Sequence, residues 1–162
     1  MAEIVELDGD RPSRPLPVVA LIAHDAKKGE LLRLIRGNRG LFEGFRLLAT
    51  RTTGLLIRNE LELPIELMAS GPMGGDLQIG GRIVDEGIDA VIFLRDPLTA
   101  HPHEPDVQAL LKVCDVHQVP VATNLAAAEI LLHFFAGHRL NIAKELVPGG
   151  KSESGDGKEW GW

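Results

Sequence analysis

The chain has 162 residues, 44% hydrophobic and 25% charged, with a formal net charge of −6; that length and balance predict one globular domain around a single core, with no room for a second. Its basic residues are scattered, aromatics are 4% and tyrosine is absent, so nucleic acid is excluded as a partner for want of a concentrated positive face and of rings for base stacking. No apolar run is long enough to span a bilayer, which excludes a membrane protein.

Residues 1–16 mix acids, arginines and prolines without an apolar signal core and are expected to form an exposed arm, with the protein in the cytoplasm. From Pro17 to about Leu140 short apolar runs alternate with amphipathic segments, the pattern of βαβ units. Val18 to Ala23 is the first strand, and Leu31, Leu32, Leu34 and Ile35 give a helix over 30–36 that stops at Gly37. A second strand is expected over 46–49 with a helix over 54–59, and a third over 65–69 with a helix over 77–86 ended by Gly87. The fourth, 89–94, is apolar throughout at Ala90-Val91-Ile92-Phe93-Leu94, as a strand covered on both faces should be. A helix over 106–117, a strand over 119–122 and a strongly apolar helix over 125–135 complete the domain, expected to span 17–148. Residues 149–162 read as a flexible polar tail. The single Cys114 cannot form an internal disulfide, and its helical setting predicts a buried structural thiol. The predicted class is α/β: a doubly wound, mostly parallel five-stranded sheet with helices on both faces, a three-layer arrangement of Rossmann or flavodoxin type.

In open sheets of this kind ligands bind beyond the carboxyl ends of the strands. His24, Asp25 and Lys28 follow the first strand, Thr50, Thr52 and Thr53 the second, and Ser70 to Asp76 the third. Arg95, Asp96, His101, His103 and Asp106 follow the fourth, and Thr123 and Asn124 the fifth. The turn Ser70-Gly71-Pro72-Met73-Gly74-Gly75-Asp76 is the most specific of these. Its glycines let backbone N–H groups approach a phosphate, the next helix adds a partial positive charge, and Asp76 stands where a proton-abstracting base would be wanted.

Each group also has a purely structural reading. The threonines could cap a helix, Lys28 could be a solvated charge, and His24-Asp25 could be a hydrogen-bonded pair at a strand end. Asp106 follows Pro105 and could serve the first turn of a helix, and Asp96, fixed by Pro97, could hold a turn. His101-Pro102-His103 suggests a metal, but a zinc site needs three or four converging ligands and the cysteine lies away from that edge, so no metal is expected.

Taken together, His24-Asp25, Ala49-Thr50 with Thr52-Thr53-Gly54, the Ser70–Asp76 turn, Asp96-Pro97-Leu98, Pro102-His103 with Pro105-Asp106-Val107, and Pro120-Val121-Ala122-Thr123-Asn124 resemble the methylglyoxal synthase family, in unbroken order over about residues 17–135. The resemblance implies a lyase that converts dihydroxyacetone phosphate to methylglyoxal and inorganic phosphate without metal or organic cofactor. It also implies a cytoplasmic homohexamer, with phosphate as product and candidate inhibitor. By the same resemblance Asp76 corresponds to the base and His103 to the imidazole that polarises the substrate oxygens. Asp106, His24 and Asp25 correspond to residues lining the reacting centre, with Asp96 behind them. Lys28, Thr50, Thr52, Thr53, Ser70 and Gly71 correspond to the phosphate site.

Arg51 departs from the family pattern, which has glycine there; it either adds a cation near the phosphate or strains the loop if the backbone needs a positive φ. From Arg139 onward the match is poor. Two other functions use the same scaffold: a regulatory ligand-binding module that keeps the phosphate site without the reacting carboxylates, and an isomerase or lyase acting on another small phosphorylated ketose.

Overall fold

The structure, a computed structural model, describes residues 16–145, with side chains through residue 136. The arm expected over 1–16, except Leu16, the tail over 149–162 and the side chain of Arg139 lie outside the described residues. The chain runs β1 (Val18–Ala23), α1 (Lys28–Gly37), a short α2 (Arg39–Phe42), β2 (Arg46–Ala49), α3 (Arg51–Leu61), β3 (Glu66–Leu67), α4 (Gly75–Asp85), β4 (Ala90–Leu94), α5 (Glu104–Val116), β5 (Val121–Ala122) and α6 (Leu125–Glu145). Single 3₁₀ turns at Asp25–Lys27 and Gly71–Met73 precede α1 and α4.

The five strands form one sheet in the order β3-β2-β1-β4-β5, and every pairing is parallel. This is the Rossmann-type order, with the direction of winding reversing between β1 and β4. Side chains alternate across β1. Val19, Leu21 and Ala23 join Leu31, Leu34 and Ile35 of α1, Phe42, Ile57 of α3 and Leu132 of α6 in one core. Val18, Ala20 and Ile22 join Ile79 and Ile83 of α4 and Val107, Leu110 and Cys114 of α5 in the other. β4 divides the same way, Ala90, Ile92 and Leu94 to the first core and Val91 and Phe93 to the second. Such double burial, worth about 1.5–3 kcal/mol per large apolar side chain, is why both central strands read as unbroken apolar runs. The sheet is thus covered by α1, α3 and α6 on one face and α4 and α5 on the other.

The expected elements are all present, β1 and β2 with the expected ends and the others with shifted ones. β3 and β5 have two residues each, shorter than expected, because as edge strands they pair on one side only. α3, α4 and α5 begin two or three residues before the apolar periodicity does, and α6 runs on to Glu145. Cys114 is fully buried, and burial pushes its thiol up to about 11.

Register brings the strand ends level: Leu21 pairs with Ala49 of β2, and Ala23 with Leu94 of β4. The third crossover is the tightest. Gly74 has φ +96, and a Cβ on Gly75 would overlap the carbonyl oxygen of Ala69 and stand 2.8 Å from its carbon. The same closeness lets Gly75 N–H donate to the Ser70 carbonyl at 2.9 Å, which delivers Asp76 into the first turn of α4. Gly75→Ala should therefore destabilise the fold by about 1–3 kcal/mol, read from the urea midpoint. Gly81→Ala, on the same helix with nothing within 4 Å of the added Cβ, should stabilise it by about 0.5–1 kcal/mol. Equal midpoints for the two variants would contradict the close approach at Gly75.

Candidate active site

The loops after β1 and β4 meet at the point where the winding reverses. His24 N–H donates to the Leu94 carbonyl at 3.1 Å, and Asp96 N–H donates to His24 Nδ1 at 2.9 Å. Accepting at Nδ1 leaves the proton of a neutral imidazole on Nε2, and that Nε2 is buried with no partner among the described residues. His24 is 6% exposed. Burial first, then the neighbouring His101, His103 and Arg95, lower its pKa from 6.5 to about 4, with Asp96 opposing. It is a neutral donor at physiological pH.

Asp76 is fully buried and neither carboxylate oxygen has a hydrogen-bond partner among the described residues. His103 Nε2 stands 3.6 Å from its Oδ2, too long for a hydrogen bond. Burial raises the Asp76 pKa above 3.8; His103 draws it down and the Asp106 charge, from the first turn of α5, adds to the rise. His103 precedes α5, with its Nδ1 also buried and without a partner. Gly71 makes this approach possible, since a Cβ there would meet His103 Nε2 at 3.1 Å and Asp76 Oδ1 at 3.6 Å.

Beside this pair lies a set of donors. Lys28 donates to Thr52 Oγ1 at 3.1 Å and is ion-paired to Asp25. Its side chain is 17% exposed, so it is not the freely solvated lysine of the bland reading. Asp25 is 96% exposed, and the Lys28 hydrogen bond holds its carboxyl below the usual range. Thr50 is buried and occupies the N-cap position of α3 without a side-chain capping bond, and Ser70 does likewise before the Gly71–Met73 turn. First-turn N–H groups have no intrahelical acceptor, so α3, which starts without a side-chain cap, puts the positive end of its dipole at this loop. Thr53 is spent differently: buried, its hydroxyl reaches the Ala23 carbonyl at 3.5 Å. Arg51, exposed, has no positive φ, and its N–H donates to the Ala69 carbonyl at 3.3 Å. The loop therefore accepts a side chain at 51 without backbone strain.

The Asp96 carboxylate faces its own turn, accepting from Leu98 N–H at 3.1 Å and from the Thr99 hydroxyl. It shapes the turn that offers Asp96 N–H to His24. Arg95 reaches Glu104 at 2.9 Å. His101, among the polar residues expected after the fourth strand, stacks on His24 with ring centroids 3.7 Å apart. Among the described residues no group of three or more His, Cys, Asp or Glu could hold a metal ion, and no helix is long and apolar enough to cross a membrane. A cavity of about 520 Å³ opens at the opposite edge of the sheet, at the starts of β1 and β2. Its lining, chiefly Leu16, Val18, Phe45, Leu47 and Ile65, is apolar, and its charged couple Arg46–Glu66 is already paired, so it offers no converging reactive groups.

A buried carboxylate with a raised pKa favours folding while protonated, below about 3.8, and loses that contribution as pH rises through its folded value. At neutral pH it is a net cost. Asp76→Asn should raise Tm at pH 7 by the equivalent of about 1–3 kcal/mol, with the gain shrinking on acidification; a lowered Tm at pH 7 would contradict the unpaired state. His24 acts in the opposite sense: its lowered pKa contributes stability that is complete above 6.5 and is lost as pH falls toward about 4.

The chain is similar to known proteins in sequence and in fold. A family model described as the MGS-like domain matches residues 30–123. The methylglyoxal synthase of Clostridium botulinum (strain Eklund 17B / Type B) is 54% identical over 117 residues, covering 72% of this chain and 98% of that protein. That of Thermus thermophilus is 54% identical over 117 residues, covering 72% and 93%. Among solved structures, methylglyoxal synthase from Elizabethkingia anophelis NUHP1 superposes with a TM-score of 0.67 at 42% identity, over 74% of this chain and 80% of that one.

Proposed function

The chain belongs to the methylglyoxal synthase family, and from that premise we propose that it converts dihydroxyacetone phosphate to methylglyoxal and inorganic phosphate, with Asp76 as the base. The observation that carries the reading is the state of Asp76: a carboxylate buried completely, unpaired and raised in pKa is basic enough to take a proton from carbon and has no other partner to satisfy.

In the proposed reaction Asp76 takes a proton from C3 of the substrate. The C3–H electron pair forms a C2–C3 double bond, and the carbonyl π pair moves to O2, giving an enediolate. His103, 3.6 Å from Asp76, polarises the substrate oxygens and moves protons between them. His24, neutral and donating from Nε2, stabilises the developing oxyanion as a neutral imidazole can without surrendering its proton. The O3–H proton then leaves, C3 becomes the aldehyde carbonyl, the double bond shifts to C1–C2, and the C1–O bond to phosphate breaks. The resulting enol of methylglyoxal takes a proton at C1. Asp106 assists by holding the Asp76 pKa up.

The departing phosphate needs cations and donors throughout. Lys28 supplies the charge, with Thr52, Thr50, Ser70 and the backbone of the Gly71 loop around it. Asp25, exposed and bound to Lys28, acts by aiming that ammonium. Thr53 contributes through the tie it makes to β1. Elimination requires the C1–O bond to stand across the enediolate plane so that it overlaps the π system; the clamp on the phosphate sets that angle. An assembly of identical subunits, a hexamer by the family resemblance, belongs to the same reading, supported by Leu98, Val116 and Ile130, which expose apolar side chains suited to an interface.

Chelator-treated protein incubated with dihydroxyacetone phosphate should release methylglyoxal, followed by aldehyde trapping, and phosphate in equal amounts. Asp76→Asn should lower turnover by about 10²–10⁴-fold with substrate binding retained, because the amide keeps the shape and removes the base. Phosphate-ester binding without product from the unsubstituted protein would instead identify a regulatory module.

A further inference from the structure

One imidazole at this edge has no part in the proposed reaction. His101 lies face to face on His24, centroids 3.7 Å apart and planes 22° apart, and edge-on to His103 at 5.7 Å. Its backbone carbonyl accepts from Glu104 N–H at 3.2 Å, but its Nε2 is buried without a hydrogen-bond partner among the described residues, so no polar tie at that nitrogen orients the ring. His24 itself accepts from Asp96 N–H at Nδ1 and is met edge-on by the Phe93 ring at 5.2 Å and 78°. A single hydrogen bond leaves an imidazole free to rock about it; a parallel ring against its face removes that freedom.

We propose that His101 is a positioning residue for His24: its stacked ring holds the His24 imidazole in the plane set by Asp96 N–H and keeps the pair from carrying two protons. Two stacked rings cannot both be charged without strong repulsion. The groups facing His24 from the surrounding elements are Asp25 after β1, His101 and His103 before α5, Arg95 and Asp96 after β4, and Glu104 at the start of α5. Arg95 is engaged by Glu104, Asp96 by its own turn, and Asp25 by Lys28. Among the charged neighbours that lower the His24 pKa, His101 has the largest effect. The inference rests on the reading of His24 as a neutral donor in the proposed reaction.

The test compares His101→Ala, which removes both ring and charge, with His101→Phe, which keeps a stacking ring and removes the charge. Steady-state kinetics with dihydroxyacetone phosphate across pH are paired with NMR titration of the His24 ring. His101→Ala should lower kcat by on the order of 10-fold with little change in KM, and His101→Phe should restore most of that loss. In both variants the His24 titration midpoint should move up from about 4; in His101→Phe, where a ring still covers His24, lost burial cannot account for the displacement. An unmoved His24 midpoint in His101→Phe overturns the inference, as does a kcat in His101→Ala equal to that of the unsubstituted protein. If His101→Ala does not fold, the titration of His101→Phe decides by itself. Absence of product from the unsubstituted protein would refute the proposed reaction, while the His24 titration would still answer for the stacked pair.

Discussion

β1 pairs in parallel with β2 on one side and β4 on the other, and that double pairing governs where everything else can stand. A strand inside an all-parallel sheet is covered on both faces, so its six residues must all be apolar, and they are. Polar chemistry can only begin where the strand ends. Because the winding reverses at β1 and β4, their two following loops part in opposite directions and leave a crevice between them. His24 and Asp96 close its floor with one hydrogen bond. The remaining loops arrive at the same edge because register levels the strand ends, and the tight Gly74-Gly75 turn sets Asp76 into the wall.

The edge so formed differs from the rest of the surface in how its polar atoms are treated. Elsewhere they are paired: the Asp89 carboxylate accepts from Val18 N–H at 2.6 Å, Asn38 reaches the Leu34 carbonyl at 2.9 Å, and Arg82 bridges Glu66 and Glu86. At the crevice, buried nitrogens of three histidines and both oxygens of Asp76 have no partner among the described residues. Native folds satisfy nearly all such atoms, so a cluster of exceptions carries a stability cost and singles out the crevice as the candidate site.

Much of this arrangement was legible in the sequence. β1 and β2 have the ends expected of them, and β4 differs by one residue, because apolar runs covered on both faces leave a plain trace. The edge strands were overestimated, since nothing in Ile65 or Val119 marks where one-sided pairing stops, and the four-residue α2 is too short to carry a period. That the polar residues would gather at one edge followed from their place after each strand. What each side chain does there did not follow. The pairing of Asp25 to Lys28, the turning of Asp96 onto its own loop and the stacking of His101 on His24 depend on side-chain direction, which spacing does not encode. Nor does the spacing of His101-Pro102-His103 show that the His101 ring stacks on His24, itself met edge-on by Phe93.

The burial of Cys114 acquires a meaning once the chemistry at the sheet edge is considered. A 1,2-dicarbonyl compound condenses with thiolates, and an enzyme releasing one is the first protein it meets. This chain has a single cysteine, sealed between α5 and the sheet with its thiol pushed up to about 11, so at neutral pH almost none is ionised. The packing that completes the second core thereby also withholds the chain's one thiol from a dicarbonyl in solution.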